Sequence, residues 1–340
     1  MSRILSALDL TDAFFAGQFH RIADTAAQVD GYRPFNEQAM FDLASGSRTA
    51  LLIAAEEVGL GAMGREEAIG GAVVGAAIVG AAIVGLGELD LVIQPASRGL
   101  GHARAALEEI LVDAPAGLTA WSHGDHPAAR ALANRYGFES VRTLLQLCTA
   151  LPFAGTTAAV DGPQQATSSA SQQTSAGPAT IEAFRPGIDD AEWVALNALV
   201  FADHPEQGSL NAVDLAARQA EPWFNPGDFL IARDRASLRM IGFNWLKIER
   251  GSQSNDDLND DNDSDDDVIG EIYVIGVHPD AAGHGLGRTL MLAGLERLRE
   301  RGCTSAELYV EAESASAVHL YRSLGFIDRT VDVQYRRHPR

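Results

Sequence analysis

Gly283, Gly285 and Gly287 stand at alternate positions, just after an apolar run and just before an amphipathic one. Bare backbone at this spacing lets a ligand approach main-chain amides closely. Where such amides open a helix, the unpaired N–H groups of the first turn and the helix dipole form a seat for a phosphate or pyrophosphate. The preceding run holds Ile272, Val274 and Val277, branched residues that suit a pleated strand. Pro279 ends that strand by removing a donor. Beyond the glycines, Met291, Leu295 and Leu298 recur at helical spacing, and Gly302 stands where the helix would close. A strand, an anion-binding loop and a helix are therefore expected. A dinucleotide fingerprint would place its first glycine at the strand end, but His278 to Ala282 intervene. The Gly-Lys-Ser/Thr of a Walker loop is absent.

The same opening occurs earlier in the chain. Arg98, Gly101 and Ala103 follow Pro95 at offsets of three, six and eight, and Ala282, Gly285 and Gly287 follow Pro279 at the same offsets. Gly137-Phe138 and Gly325-Phe326 then close the two stretches in the same order. Both correspondences together predict a duplicated domain, with copies over residues 1–151 and 180–340. Residues 152–179 between them are rich in Thr, Ser, Gln, Ala, Gly and Pro and predict a disordered linker. In the first copy, patterning predicts helices over 9–30 and 36–43, strands over 49–58 and 71–84, and a helix to about residue 112. In the second it predicts a strand over 181–186, helices through Trp193 and over 214–219, and a strand pair over 228–234 and 240–248. A strand over 305–311, a helix over 318–324 and a last strand over 329–336 follow the glycine loop. The class is α/β (α+β), each copy a mixed sheet flanked by helices.

Composition narrows the function. The chain of 340 residues carries 26 basic against 46 acidic residues, a net charge of −20, which disfavours nucleic acid and anionic membranes as partners. Eight aspartates lie within residues 255–267. Asp261, Asp263 and Asp265 have the opening spacing of an EF-hand, but Asp266 replaces its glycine and Ile272 its closing glutamate, so a solvated hairpin loop is expected over 252–267. The two cysteines, Cys148 and Cys303, suit a reducing cytoplasm and read as small buried hydrophobes. No charged-then-apolar leader opens the chain, and glycines interrupt the weakly polar run over 69–86, so a soluble cytoplasmic protein is expected. His123, His126, His278 and His284 lack metal-ligand spacing, and no metal is expected. No nucleophile elbow or Cys–His context supports nucleophilic catalysis.

The loop resembles the acetyl-coenzyme A loop of the GCN5-related N-acetyltransferases (GNAT), written Gln/Arg-x-x-Gly-x-Gly/Ala. Ala282, Gly285 and Gly287 occupy its marked places, with Ala282 departing from Gln or Arg. Within that family the second copy resembles the mycothiol synthases, a group of tandem acetyltransferases. The likeness rests on HPEQG at 204–208, EPWF at 221–224, GFNWLK at 242–247, GEIYVIGV at 270–277, LYVE at 308–311 and LYRSLGF at 320–326. The first copy matches chiefly at NEQ over 36–38 and in the Pro95 loop.

This resemblance implies two tandem GNAT-like domains with splayed central sheets, and acetyl transfer from acetyl-CoA to the cysteinyl amine of cysteinyl-glucosaminyl-inositol. Glu271, at the head of the strand, would be the general base, and Tyr321 would protonate the coenzyme sulfur. The Val277 N–H would polarise the thioester carbonyl. Glu37, Glu206, Lys247, Glu271 and Tyr309 would hold the acceptor. Coenzyme A would lie along Ile275, Gly276 and Val277, then Ala282, Gly283, His284, Gly285, Leu286, Gly287 and Arg288, then Ser314, Ala315, Ser316, Ala317, Val318 and His319. Ser314 stands where the family usually has Asn. In the first copy, Leu91, Val92 and Ile93 would form a second acetyl-CoA site. That copy should be catalytically silent, because Tyr136 lies two residues before Phe138, whereas Tyr321 lies five before Phe326. A small-molecule acceptor and a monomer are expected. Acetylation of another small amine or a protein N-terminus, and a non-catalytic acyl-CoA-binding regulator, remain alternatives.

Overall fold

A computed structural model of the chain describes residues 2–5, 12–55, 77–151, 179–204, 207–249 and 268–338. The acidic loop over 252–267, the expected linker up to residue 178 and Glu206 lie outside the described residues. Two compact units are present. The first comprises residues 1–145, 311–313 and 330–340, and the second 146–310 and 314–329.

In the first unit, β1 (Ser2–Leu5) precedes α1 (Ala13–Asp30) and α2 (Glu37–Ala44). Then come β2 (Thr49–Ala55), β3 (Ala77–Gly85), β4 (Glu88–Ile93), α3 (His102–Ile110), β5 (Thr119–Ser122), α4 (Pro127–Tyr136) and the start of β6 (Phe138–Ala150). The strands β1 to β4 pair antiparallel in chain order, and β4 pairs parallel with β5. The Asp12 carboxylate accepts from the Phe14 N–H at 2.9 Å and starts α1, and Gly31 in the left-handed region ends it. Its stripe of Phe19, Ile22 and Ala26 packs on Leu52, Ala81 and Ile83.

The second unit takes the end of β6 and adds β7 (Ala179–Ala183), α5 (Asp190–Val200), α6 (Ala212–Gln219), β8 (Phe229–Asp234), β9 (Met240–Ile248) and β10 (Ile269–Val277). It continues with α7 (Leu286–Glu300), β11 (Ser305–Glu311), α8 (Ala315–Ser323) and the first residues of β12 (Ile327–Arg337). The sheet order is β6-β11-β10-β9-β8-β7. One face carries an aromatic core in which Trp245 stacks on Phe229 at 4.3 Å and Phe229 on Phe184 at 4.3 Å, with Trp193 edge-on. The other face packs Leu286 and Leu290 of α7 against Ala232, and Met291, Leu295 and Leu298 are wholly buried as the helical spacing requires.

From Thr330 onward β12 belongs to the first unit, pairing antiparallel with β5 through Val333–Arg336. Sequence patterning does not foresee β1, β5 or β6. The four-residue strands β1 and β5 are too short to show a period, and β6 mixes buried and half-buried residues without alternation. Cys303 is buried as expected, whereas Cys148 is only half-buried.

Candidate functional site

After Val277, residues Pro279–Ala281 form a single 3₁₀ turn, and the His278 imidazole accepts from the Asp280 N–H at 3.1 Å. Gly283 and Gly285 then take φ of 79° and 82°, and a Cβ at either would meet nothing within 4 Å. Backbone conformation, not crowding, demands glycine there. Gly287 differs, since a Cβ would sit in ordinary contact, 3.6 Å from Leu320 and 3.8 Å from Val277. An alanine fits that position, and Ala103 occupies it in the first copy. Because α7 begins at Leu286, the first-turn amides of Leu286, Gly287 and Arg288 lack intrahelical acceptors. The loop from Ala282 to Gly285 is exposed above them. The first unit repeats this geometry, with a 3₁₀ turn at Pro95–Ser97, Gly99 and Gly101 at φ of 77° and 85°, and α3 from His102. It departs at Arg98, whose guanidinium grips both Asp30 oxygens at 2.7 Å and donates to the Ile93 carbonyl at 3.0 Å.

The strands beside each loop part. Among the described residues, β10 pairs with β11 only through Ile269, Gly270 and Glu271 against Ser305, Ala306 and Glu307, although both strands run on. His278 donates its N–H to the Ile241 carbonyl at 2.9 Å, on the β9 side. The Val277 N–H, one residue earlier in an extended strand, therefore points the other way, toward the parting. In the first unit β4 and β5 pair only at Glu88–Leu89 against Thr119–Ala120, and Gln94 donates to Val79 at 2.9 Å. Helices α7 and α8 both begin beyond the carboxyl ends of parallel strands, the edge where ligands bind in open α/β sheets.

A β-bulge in β10 sets which face Glu271 occupies. The register against β9 slips between Ile272 and Val274. A Cβ on Gly270 would lie 2.5 Å from Leu298 of α7, but one on Gly276 would lie 2.7 Å from Phe243 and 3.1 Å from Val200 of α5. Two even-numbered residues thus face opposite sides, which an unbulged strand forbids. The bulge puts Glu271 on the face away from α7. Since β4 has no such slip, Glu88, seven residues before Pro95, occupies the place that Glu271 holds eight residues before Pro279. Glu271 pairs at the last rung before its strands part, and Glu88 one rung before Leu89.

On that face the register lines up Lys247, Glu271 and Glu307 across β9, β10 and β11. Lys247 is buried, with its ammonium 5.2 Å from the Trp223 ring, 5.8 Å from the Tyr273 ring and 3.1 Å from the Glu249 carboxylate. Glu307 accepts from Gln146 at 3.0 Å and from Arg329 at 2.6 Å. The same Gln146 amide donates to the Tyr309 hydroxyl oxygen at 3.0 Å, and Tyr309 is 45% exposed. Arg218 on α6 donates to the Tyr273 hydroxyl at 3.0 Å. Tyr321 on α8 is 7% exposed, and burial pushes its phenol up to about 12.

Of the residues expected from the sequence, Lys247, Glu271 and Tyr309 share one polar row, while Ile275, Val277 and the loop line the parting edge. Ser314 is the N-cap of α8 without a side-chain capping bond, and Ala315 to His319 form that helix's first turns. The Arg288 guanidinium donates to the Ser323 hydroxyl at 3.1 Å, joining the start of α7 to the end of α8. Glu37 opens α2 in the first unit, next to the capping Asn36. Sequence reasoning missed Gln146, Glu307, Arg329, Trp223 and Tyr273. The alternation Glu307-x-Tyr309-x-Glu311 in an interior strand was the available signal, because an interior strand does not carry a charged face without a use for it. A separate cavity of about 370 Å³ borders the loop between Arg239, Ile241, His278, His284 and Leu286, and no residue of β11 lines it.

The profile of the Acetyltransferase (GNAT) family matches residues 193–326. A mycothiol acetyltransferase of Clavibacter sepedonicus is 40% identical over 318 residues, covering 93% of this chain and 90% of its own length. The chain belongs to the mycothiol acetyltransferase family. A second member of this family, from Thermobispora bispora, is 38% identical over 325 residues and covers 93% of this chain and 94% of its own length. Among solved structures, a tandem GNAT protein from the clavulanic acid biosynthesis pathway aligns with a TM-score of 0.63 at 15% identity, over 99% of this chain and 98% of that one. That likeness establishes the tandem GNAT fold for this chain, whose two units each carry the same glycine loop and parted strands. Among the described residues of this family member, no helix is long and apolar enough to cross a membrane.

Proposed function

We propose that this protein transfers acetyl from acetyl-CoA to the cysteinyl amine of cysteinyl-glucosaminyl-inositol, the last step of mycothiol biosynthesis, in the cytoplasm. The observation that carries this reading is the parting of β10 from β11 immediately beyond Glu271, with the Val277 amide facing the gap and the glycine loop at its end. The residues present fit acetyl-CoA. Gly283 and Gly285 expose backbone, the first turn of α7 offers free N–H groups to a diphosphate, and Ile275 to Val277 offer a strand edge to an amide-bearing arm.

The acceptor's charged and hydroxylic ends meet opposite partners. Glu271 and the carboxylates carried over from the family, Glu37 and Glu206, suit its ammonium, whereas Lys247 and Tyr309 donate to its hydroxyls. Glu271 takes a proton from the ammonium, directly or through water. The free amine attacks the thioester carbon, and the Val277 N–H steadies the charge gathering on the carbonyl oxygen. The C–N bond forms, the C–S bond breaks, and the sulfur draws on the Tyr321 hydroxyl. A phenol at about 12 stays protonated at any working pH. It is a weaker acid than a thiol at about 8.5, so Tyr321 serves first as a hydrogen-bond donor to the departing sulfur. The proton that nitrogen loses on becoming an amide balances the one that sulfur gains.

The first unit carries no such chemistry on this reading. Glu88, the positional counterpart of Glu271, meets the buried Arg48 guanidinium at 3.2 Å, and Arg48 also holds Asp90 at 2.6 Å. A carboxylate so paired is a poor base. Release of free thiol from acetyl-CoA in the presence of the cysteinyl pseudodisaccharide tests the proposal. Release with simple amines or peptide N-termini but not with that acceptor would replace it, and no release with any acceptor would favour a non-catalytic acyl-CoA-binding role.

A further inference from the structure

The polar row contains a residue for which the reaction as written has no role. Gln146 lies near the end of β6, is 8% exposed, and belongs to the second unit although it precedes the expected linker in sequence. Its side-chain amide nitrogen donates at 3.0 Å to Glu307 Oε2 and at 3.0 Å to the Tyr309 hydroxyl oxygen. Glu307 is the register partner of Glu271, and its Oε2 also accepts from Arg329 at 2.6 Å. Tyr309 lies two residues along β11 from Glu307 on the same face, nearly half exposed.

We propose that Gln146 is a positioning residue for the acceptor. It fixes Tyr309 relative to the Glu271–Glu307 rung, and so sets where the sugar hydroxyls sit when the amine reaches Glu271. This inference rests on the proposed function and adds to it a residue supplied by the first half of the chain. An exposed tyrosine on a strand beside a parting has rotamer freedom that binding would otherwise have to remove. One amide bonded to two neighbouring groups removes that freedom beforehand. Neither bond reaches the glycine loop or the strand edge offered to the coenzyme, so the effect should fall on the acceptor alone.

The test compares Gln146→Leu and Gln146→Met with Tyr309→Phe and with the double variant Gln146→Leu/Tyr309→Phe. The unaltered protein is measured in parallel with acetyl-CoA and the cysteinyl pseudodisaccharide. Each Gln146 variant should raise the acceptor KM about tenfold, the scale of a lost hydrogen bond between neutral and charged partners, and leave the acetyl-CoA KM within twofold. The double variant should be no worse than the poorer single one, because both changes break the same link. Independent, multiplying effects in the double variant would overturn the inference, as would an unchanged acceptor KM. Equal rises in both KM values, or loss of the circular-dichroism melt in both Leu and Met variants, would show a structural role and overturn it too. If the unaltered protein turns over no pseudodisaccharide, the functional proposal itself fails, an outcome distinct from any of these.

Discussion

Replacing Tyr321 by Phe separates the acid from its packing. The ring stays beside Phe326, 6.1 Å away between centroids, so the core around α8 is preserved. Burial pushes the phenol up from 10.0 to about 12. At about 1.4 kcal/mol for each tenfold change, the folded state resists ionising this group by about 3 kcal/mol. Its folded value exceeds its unfolded value, so this stability is fully present below pH 10 and is lost as pH rises through about 12. Urea unfolding of the two proteins should therefore run in parallel from pH 7 to 10. Above that range the parent should lose about 3 kcal/mol more than Tyr321→Phe. At neutral pH the variant should bind acetyl-CoA normally by calorimetry and turn over about 10² to 10⁴ times more slowly, the range for a lost acid–base group. Parallel alkaline unfolding curves would refute the burial argument, and full turnover would refute the assigned role.

Glu271→Gln keeps the side-chain volume and should lower kcat by about 10² or more while the acetyl-CoA dissociation constant holds. Stopped-flow turnover beside calorimetric titration checks both. Gly285→Ala forces an L-residue to φ of 82°, so it should cost about 1–2 kcal/mol in urea unfolding and raise the acetyl-CoA KM more than the acceptor KM. Gly287→Ala, with room for its methyl, should change little in either assay. Arg48→Met leaves Asp90 buried without its counter-charge and should cost about 3–5 kcal/mol at pH 7 in chemical denaturation. Burial pushes the Asp90 carboxyl up against the pull of Arg48, so protonation should make that loss smaller at pH 5 than at pH 7.

What the residues declare without the fold is whatever depends on neighbours in the chain. Gly283 and Gly285 mark left-handed turns, Pro279 and Pro95 end strands, and Met291, Leu295 and Leu298 trace a buried helix face. The repeat of that pattern 184 residues apart, from Pro95 to Pro279, announces the duplication, and the structure matches it to within a few degrees of φ. Tertiary structure alone decided the rest, because it depends on pairings between distant segments. The slip between Ile272 and Val274 turns Glu271 to the face it occupies, and a bulge is defined by pairing with β9, which strand periodicity alone cannot reveal. Gln146 meets Glu307 and Tyr309 across more than 160 positions of chain, and β12 leaves the second unit at Thr330 to pair with β5. Tyr321 owes its raised pKa to burial, a property of everything packed around it rather than of its neighbours in sequence.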